Sequence, residues 1–240
     1  MFDTLPRAVN TADYPYKIEL HAHTRPQSPC GDIPPAELIR IYAEHGYDAV
    51  AITNHFTCKL DYGLGSPERD IEFYLAGYSE AAAAGERLGV RVIFGAELRF
   101  SENDNDYLIY GSPPERLPDI RAALTGGIDS FYRRFKRPDN VIIQAHPFRD
   151  GMTRRSFRCL DGIETFNLHP NHNSRPGLAA KYAHENGLIS IAGTDAHHSG
   201  QLCLSAIAAK TLPADTHELA RLLLSQDYLM WVEGNFIIRV

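Results

Sequence analysis

Residues 35–55, PAELIRIYAEHGYDAVAITNH, contain a helix pattern followed directly by a strand pattern. The first part carries apolar residues at helical spacing after two prolines, and Gly46 supplies a helix stop. The apolar run at 48–53 predicts a buried strand, which ends at Asn54 and His55. This unit predicts an α/β fold in which a histidine stands at the carboxyl end of a strand.

The same alternation of strands and helices continues along the chain. Strands are predicted over 17–20, 48–53, 90–98, 106–111, 140–145, 161–166, 188–193 and 231–240. Helices are predicted over 35–45, from Pro67 to near Gly89, over 114–136 with breaks at Pro118 and at Gly126 and Gly127, and near 175–186 and 215–225. Repeated strand–helix units imply parallel strands with helices outside them, so we expect one (β/α) barrel domain over 1–240. A doubly wound open sheet would give nearly the same pattern and stays the alternative.

Composition excludes several classes of protein. The 240 residues include 24 Lys and Arg against 30 Asp and Glu, and this net charge of −6 argues against a protein built mainly to wrap nucleic acid. The four cysteines form no C-x-x-C pair. The first residues lack a signal-peptide pattern, and no apolar run reaches the roughly 18 residues needed to cross a membrane. We therefore expect a cytoplasmic enzyme without a membrane partner.

Histidine is unusually abundant, with 11 copies, and several stand at predicted strand ends together with acidic residues. The candidate ligands at the ends of five strands are His21, His23, His55, Glu97, His146, Asp195 and His197. Alternate residues of a strand point to the same side, so the H-x-H pair and the D-x-H pair can each grip one ion. Imidazoles with a few carboxylates suit Zn, Mn or Fe better than Ca. The pattern predicts a transition-metal site at the carboxyl edge of the strands.

Five motifs at these positions resemble a known family. They read ELHAHT at 19–24 with SPCG at 28–31, AITNHF at 51–56, FGAEL at 94–98, QAHPF at 144–148 and GTDAH at 193–197. In this order they are similar to the successive motifs of the PHP (polymerase and histidinol phosphatase) family, over about 17–198. The resemblance implies a distorted, TIM-barrel-like (β/α)₇ fold, a cluster of two or three divalent metal ions at its carboxyl face, and hydrolysis of phosphoesters.

The same resemblance implies a division of the ligands among three ions. His21, His23, Glu97 and Asp195 would hold the first ion, Glu97 with His146 the second, and His55 with His197 the third. Glu97, Asp195 and His197 would then be catalytic residues. Two positions depart from the family pattern: Cys30 stands where many members carry Asp or His, with Asp32 as a nearby alternative, and Asp106 stands where some members carry His.

The expected substrate is a small phosphorylated metabolite or nucleotide. Metal ions lower the pKa of a coordinated water toward about 7, so no Ser or Cys nucleophile is required. Arg149, just after the AHP motif, and His169, after the sixth predicted strand, are the candidate phosphate-binding residues. One alternative is a nuclease or phosphodiesterase acting on nucleic acid ends through the basic residues 133–137. Another is an amidohydrolase-type enzyme acting on a substrate without phosphate.

Overall fold

The described part of this computed structural model comprises residues 9–153 and 157–238. Residues 1–8, where no signal-peptide pattern was found, residues 154–156 and the last two residues of the predicted strand 231–240 lie outside it. Strands in the first half are β1 Tyr16–Ala22, β2 Ala49–Ile52, β3 His55–Thr57, β4 Arg91–Phe94, β5 Ala96–Arg99 and β6 Asp106–Tyr110. Strands in the second half are β7 Val141–Gln144, β8 Gly162–Asn167, β9 Ile189–Gly193, β10 Ser205–Ala209, β11 Tyr228–Val232 and β12 Asn235–Ile237. The α-helices are α1 Pro35–Glu44, α2 Pro67–Leu88, α3 Leu117–Ala123, α4 Ile128–Phe135, α5 Pro176–Asn186 and α6 Thr216–Ser225.

The described strands form two six-stranded sheets that together make a closed barrel. One sheet has the order β12-β11-β10-β1-β2-β4, and the other has the order β3-β5-β6-β7-β8-β9. The chain passes from the first sheet to the second twice, between β2 and β3 and between β4 and β5. The opposite seam joins β1 to β9, where Asp195 N donates to His21 O at 2.9 Å and His23 N donates to Ala196 O at 3.1 Å. Counting β2–β3 and β4–β5 as single barrel strands gives the predicted distorted (β/α)₇ barrel rather than an open sheet.

Three predictions about strands are wrong, and one strand was not predicted. The strand predicted over 90–98 breaks at Gly95, where β4 pairs with β2 and β5 pairs with β3. Strand β6 runs antiparallel to β5 and β7, because the connection from β5 is too short for a crossover helix. The predicted strand 231–240 is part of the β11–β12 hairpin, which turns at Gly234, and β10 was not predicted.

Local sequence explains where the helices begin and end. Helix α2 begins after Ser66, whose hydroxyl accepts from Arg69 N, and ends at Gly89 in the left-handed conformation. The break expected at 126–127 separates α3 from α4, as predicted. Pro118 lies in the first turn of α3, where its missing N–H costs no hydrogen bond.

Apolar side chains fill the barrel below the polar strand ends. One buried cluster joins side chains of β1, β2, β4, β6, β7 and β9 to helix α6 through Leu219, Ala220 and Leu223. Among the described residues, no helix is both long and apolar enough to cross a membrane. The cytoplasmic location and the extent of the domain over 1–240 stay predictions.

The backbone at Gly111 packs closely against residue 139 and against α6, and a substitution there measures how tight this packing is. It has φ +78, and a Cβ built there would lie 2.1 Å from Asp139 O and 2.9 Å from Ala220 Cβ. Gly46 has φ +69 but open space around it. We expect Gly46→Ala to cost about 1–2 kcal/mol from the backbone alone. Gly111→Ala should cost clearly more, measured as the shift in the urea unfolding midpoint. Equal shifts in the two variants would contradict the close packing.

Candidate metal centre

The seven ligands predicted from strand ends come together at one end of the barrel. His21 lies in β1 and His23 just after it, His55 begins β3, and Glu97 lies in β5. His146 follows β7, and both Asp195 and His197 follow β9. His146 has φ +29 and Asp195 has φ +55. Positive φ angles are costly for residues other than glycine, and their presence at two predicted ligands is typical of a functional site.

Glu97 lies at the centre of the cluster and is fully buried. Its Oε1 atom is 3.3 Å from both His21 Nε2 and His146 Nε2. Its Oε2 atom is 3.4 Å from His23 Nε2 and 2.6 Å from His55 Nδ1. One carboxylate therefore faces four imidazoles, two on each oxygen, as a group bridging two ions would.

Asp195 approaches the same imidazoles from the opposite side of the β1–β9 seam. Its Oδ1 atom is 3.4 Å from His21 Nε2 and 3.3 Å from His23 Nε2. Its Oδ2 atom is 3.9 Å from His146 Nε2. His21, His23 and Asp195 form one of the groups whose ligand atoms all lie within 4.8 Å of one another.

The ligand atoms of this cluster fit a metal ion better than they fit each other. The Nε2 atoms of His21 and His23 and both carboxylate oxygens of Glu97 are buried without a hydrogen-bond partner among the described residues. Leaving such atoms unsatisfied is expensive. Two ligands about 2.1 Å from one tetrahedral ion lie about 3.4 Å apart, which matches the separations around His21 and His23. The residues present therefore fit the divalent ions that the family implies.

Electrostatics keeps Glu97 and His23, but not His21, in the form that binds metal. Burial opposes the charge of Glu97, but His55 and His21 beside it hold its pKa well below the usual range. Burial, together with His55 and His197, holds the pKa of His23 well below its usual value, so the ring is neutral with a free lone pair. The pKa of His21 is raised against its burial by Glu164, Asp195 and Glu97, so ion binding there displaces a proton.

Glu164 in β8 orients the cluster and was missed by sequence reasoning. Its Oε1 atom is 3.0 Å from His21 Nδ1, and its Oε2 atom accepts from His146 N at 3.0 Å. Asn167 Nδ2 donates to Glu164 at 2.9 Å and to Asp195 at 3.1 Å. A Cβ at Gly193 would lie 2.4 Å from Glu164 Oε1, so this approach needs glycine. In the sequence, the role of Glu164 is indicated only by its charge at a position within the predicted strand 161–166.

Glu19 makes a second buried carboxylate network that was also missed. It accepts from His21 N at 2.9 Å, from Thr194 N at 3.0 Å and from Tyr42 Oη at 2.9 Å, and Thr194 Oγ1 donates a further short bond. Burial raises its pKa, although these hydrogen bonds oppose the rise. Glu19 thereby ties the backbone before Asp195 to the backbone of His21.

Asp106, a tentative ligand, lies beside the cluster but is already paired. Arg99 Nε donates to Asp106 Oδ1 at 2.7 Å, and Arg99 Nη2 donates to Asp106 Oδ2 at 2.6 Å. Asp106 Oδ2 is 3.8 Å from His146 Nε2, and Asp106 belongs to a possible metal group with His55 and Glu97. Its role as a ligand stays a prediction, and binding an ion would mean sharing its carboxylate with Arg99.

A third possible metal group lies toward the mouth of the cluster. It comprises His23, His55 and His197. His197 Nδ1 contacts Asp195 O at 2.9 Å, which turns Nε2 away from the backbone. Cys30, the other tentative ligand, is exposed and lines the cavity over the cluster together with His55 and His197. Burial raises the pKa of its thiol, but these two imidazoles lower it to about 6. Its role as a ligand stays a prediction.

Both candidate phosphate-binding residues line the cavity of about 550 Å³ that opens over the cluster. Arg149 Nη1 is 3.5 Å from His172 Nδ1, which is itself 3.5 Å from Asp195 Oδ2. The rings of His169 and His172 stack with centroids 3.8 Å apart. Burial lowers the pKa of His169 to about 4, so at neutral pH its ring is uncharged. The structure also places His172 between Arg149 and Asp195 of the cluster.

Glu164 generates a prediction about metal affinity. Glu164→Gln keeps the shape of the side chain but removes the charge that supports His21. We expect about 10–100-fold weaker binding of the tightest ion, measured by competition with a chromogenic chelator. Glu86→Gln, on the exposed face of α2, is the matched control. Unchanged affinity in Glu164→Gln would show that this carboxylate has no influence on the ligands.

Comparisons with known proteins agree with this geometry. A model of the PHP domain matches residues 19–226. The chain is 25% identical over 157 residues to a PolC-type DNA polymerase III of Latilactobacillus sakei, with 63% of this chain and 9% of the polymerase covered. The chain thus spans only a small part of that curated relative.

Solved structures show the same fold at low sequence identity. A two-domain protein of Bacteroides vulgatus, described as containing a predicted PHP-like metal-dependent phosphoesterase, matches with TM-score 0.65 and 15% identity. The match covers 93% of this chain and 66% of that one. An amidohydrolase of Chromobacterium violaceum, solved with bound sulfate and no metal, matches with TM-score 0.54 and 17% identity over 91% of this chain and 98% of that one.

These findings confirm the expected family and the expected class of enzyme, a metal-dependent hydrolase. The family match covers every strand-end ligand from His21 to His197 and the carboxylates that support them. The chain belongs to the PHP domain family.

Proposed function

We propose that the protein is a phosphoesterase that hydrolyses a small phosphorylated metabolite or nucleotide with two or three bound Zn, Mn or Fe ions. The observation that carries this proposal is the set of unpartnered ligand atoms around Glu97, which lies beneath a cavity bordered by Arg149. Such ions supply an activated water and neutralise charge on the phosphate. His21, His23, Glu97 and Asp195 would hold one ion, and Glu97 with His146 a second.

The residues of the chain supply binding and orientation. Arg149 stands at the cavity wall, and a guanidinium matches two phosphate oxygens at once. Asp106 Oδ2 lies 3.8 Å from Arg149 Nη2, whereas it lies 2.6 Å from Arg99 Nη2. Asp106 therefore attracts the Arg149 guanidinium toward the cluster without forming a close ion pair with it. The neutral ring of His169, stacked on His172, offers a hydrogen-bonding edge at the same wall. These groups favour a compact anionic substrate.

The position of the basic residues relative to the cavity favours a small substrate and argues against a long nucleic acid strand. Arg133 and Arg134 are exposed on the last turn of α4, and Lys136 beside them pairs with Asp161 at 2.9 Å. None of these basic residues lines the cavity over the cluster. The similarity to a polymerase and to an amidohydrolase makes nucleic acid ends and amides the alternatives to include in a substrate test.

The function is tested with a panel of phosphomonoesters, phosphodiesters, single-stranded DNA and N-acyl compounds. Each is assayed after reconstitution of the protein with Zn, Mn or Fe, and phosphate release from monoesters is the expected result. Cleavage of amides or DNA alone, with no release of phosphate from any monoester, would overturn the proposal.

Glu97→Gln gives the sharpest prediction from this proposal. The amide keeps the volume but loses the charge that two ions share, so we expect hydrolysis to fall by at least about a thousandfold while the fold survives. Turnover by Glu97→Gln and its circular dichroism spectrum are the measurements, with Glu86→Gln as control. Full activity with unchanged metal content would exclude a bridging role.

Arg149→Ala tests recognition of the phosphate. Loss of a hydrogen bond to a charged group costs about 1.5–3 kcal/mol, which is roughly a 10–150-fold fall in kcat/KM. The fall should be larger for terminal phosphate dianions than for diesters. Arg133→Ala, which removes an exposed arginine away from the cavity, is the control. Identical steady-state constants for Arg149→Ala and the parent on every phosphorylated substrate would contradict the assignment.

A further inference from the structure

One side of the cavity over the cluster is lined by cations. Lys59, Arg99 and Arg149, here called the basic rim, all border it. Thr57 at the end of β3 pairs with Arg99 at the end of β5, and Arg99 pairs with Asp106 at the start of β6. Lys59 follows β3 directly, and Arg149 lies in the segment after β7. Because β3, β5, β6 and β7 are neighbours in the second sheet, strand pairing brings these cations to one rim.

Acidic side chains neutralise only part of the basic rim. Asp106 pairs closely with Arg99, at 2.6 Å, but lies 3.8 Å from Arg149. Lys59 forms no ion pair within residues 9–153 and 157–238. Asp61, another acid that lines the cavity, is exposed, and its Oδ1 atom already accepts from a backbone amide at 2.7 Å. The rim therefore keeps two cations that no described carboxylate holds at hydrogen-bonding distance.

Both arginines of the rim keep donors for a ligand. Arg99 uses Nε and Nη2 on Asp106, and its Nη1 makes no hydrogen bond within the described part of the chain. The Arg149 side chain is only 20% exposed, and its contacts to His172 Nδ1 at 3.5 Å and to Asp106 Oδ2 at 3.8 Å are long for hydrogen bonds. A largely buried guanidinium without close acceptors is costly, and an anion in the cavity would supply them.

A single phosphate does not use the whole rim. Neighbouring strands of a sheet lie about 4.8 Å apart, so β3 and β7, with β5 and β6 between them, are separated along the sheet by roughly 14 Å. A phosphate held over the cluster beside Arg149 leaves Lys59 and the free edge of Arg99 without a partner. The cavity of about 550 Å³ is in the size range of sites that enclose a whole small molecule. It therefore has room for a ligand that reaches both parts of the rim.

We propose that Lys59 and Arg99 bind a second anionic group of the substrate, so that the enzyme prefers phosphomonoesters that carry a further carboxylate or phosphate. The inference rests on the proposed function, because it takes the phosphate under attack to lie over the cluster beside Arg149. Arg99 donates to the second anion through Nη1 while Asp106 holds its other edge, and Lys59 adds a point charge at the exposed side.

A matched series of esters tests this preference. It comprises an alkyl phosphate and the two esters of the same chain length that end in a carboxylate or in a second phosphate, each assayed over several chain lengths. We expect kcat/KM to be at least about 10-fold higher for the better of the two doubly charged esters, mainly through a lower KM. The advantage should shrink as salt is added. The ester with the larger advantage identifies the second group, and equal kcat/KM across the series at every chain length overturns the inference.

Variants at the rim assign the preference to its residues. Lys59→Met keeps the apolar stem but removes the charge, so it should reduce the advantage of the doubly charged esters about 10-fold, whereas Lys59→Arg should keep it. Arg99→Lys retains a cation beside the buried Asp106 and should also reduce the advantage. Lys181→Met, at an exposed lysine of α5 outside the cavity, is the matched control. An advantage that survives both Lys59→Met and Arg99→Lys overturns the assignment.

Binding of phosphonates separates this inference from the proposed function. An alkyl phosphonate and the bisphosphonate of the same chain length are not hydrolysed, and calorimetry measures their dissociation constants with the metal-loaded protein. Tighter binding of the bisphosphonate that Lys59→Met weakens supports the second anion site, and if no ester is hydrolysed, only the proposed function fails. Hydrolysis of esters without a preference, together with equal affinity for the two phosphonates, overturns the inference and leaves the proposed function standing.

Discussion

A single buried carboxylate, that of Glu97, sets the conditions that the rest of the site must meet. An ionised carboxylate without solvent is expensive unless opposite charge lies close to it. Four imidazoles surround Glu97, yet neither of its oxygens makes a hydrogen bond with acceptable geometry. Hydrogen bonds within the described part of the chain therefore leave both oxygens of this carboxylate without a partner, and bound divalent cations would supply the missing partners.

Two other buried carboxylates hold the candidate ligands in place, because they form hydrogen bonds with backbone amides and with an imidazole ring of the cluster. Glu164 holds His21 Nδ1 and the amide of His146, and Glu19 joins the backbone of His21 to that of Thr194. The ligands therefore occupy fixed positions before any ion arrives. Such preorganisation reduces the ordering cost of metal binding. It also explains how His146 and Asp195 keep positive φ angles, since the surrounding bonds compensate for local strain.

The sequence predicts the candidate ligands at the strand ends better than it predicts the buried carboxylates and the strand pairing that orient them. His21, His55 and Asp195 are recognisable because they interrupt apolar strands at the edge where α/β sites form. Glu164 and Glu19 lie within strands, and their role depends on neighbours from distant parts of the chain. Local periodicity does not reveal such contacts. The reversal of β6 and the break at Gly95 likewise depend on pairing across the barrel.

The short β1–β9 seam has a consequence for the stability of the folded barrel. Backbone pairing across it is brief, and it occurs at His21, His23, Asp195 and Ala196. Ions held by His21 and His23 on one side and by Asp195 on the other would connect the two sides of this seam. Because binding to the folded state stabilises it by an amount that grows with free ligand concentration, the strength of this seam would then depend on the concentration of free metal.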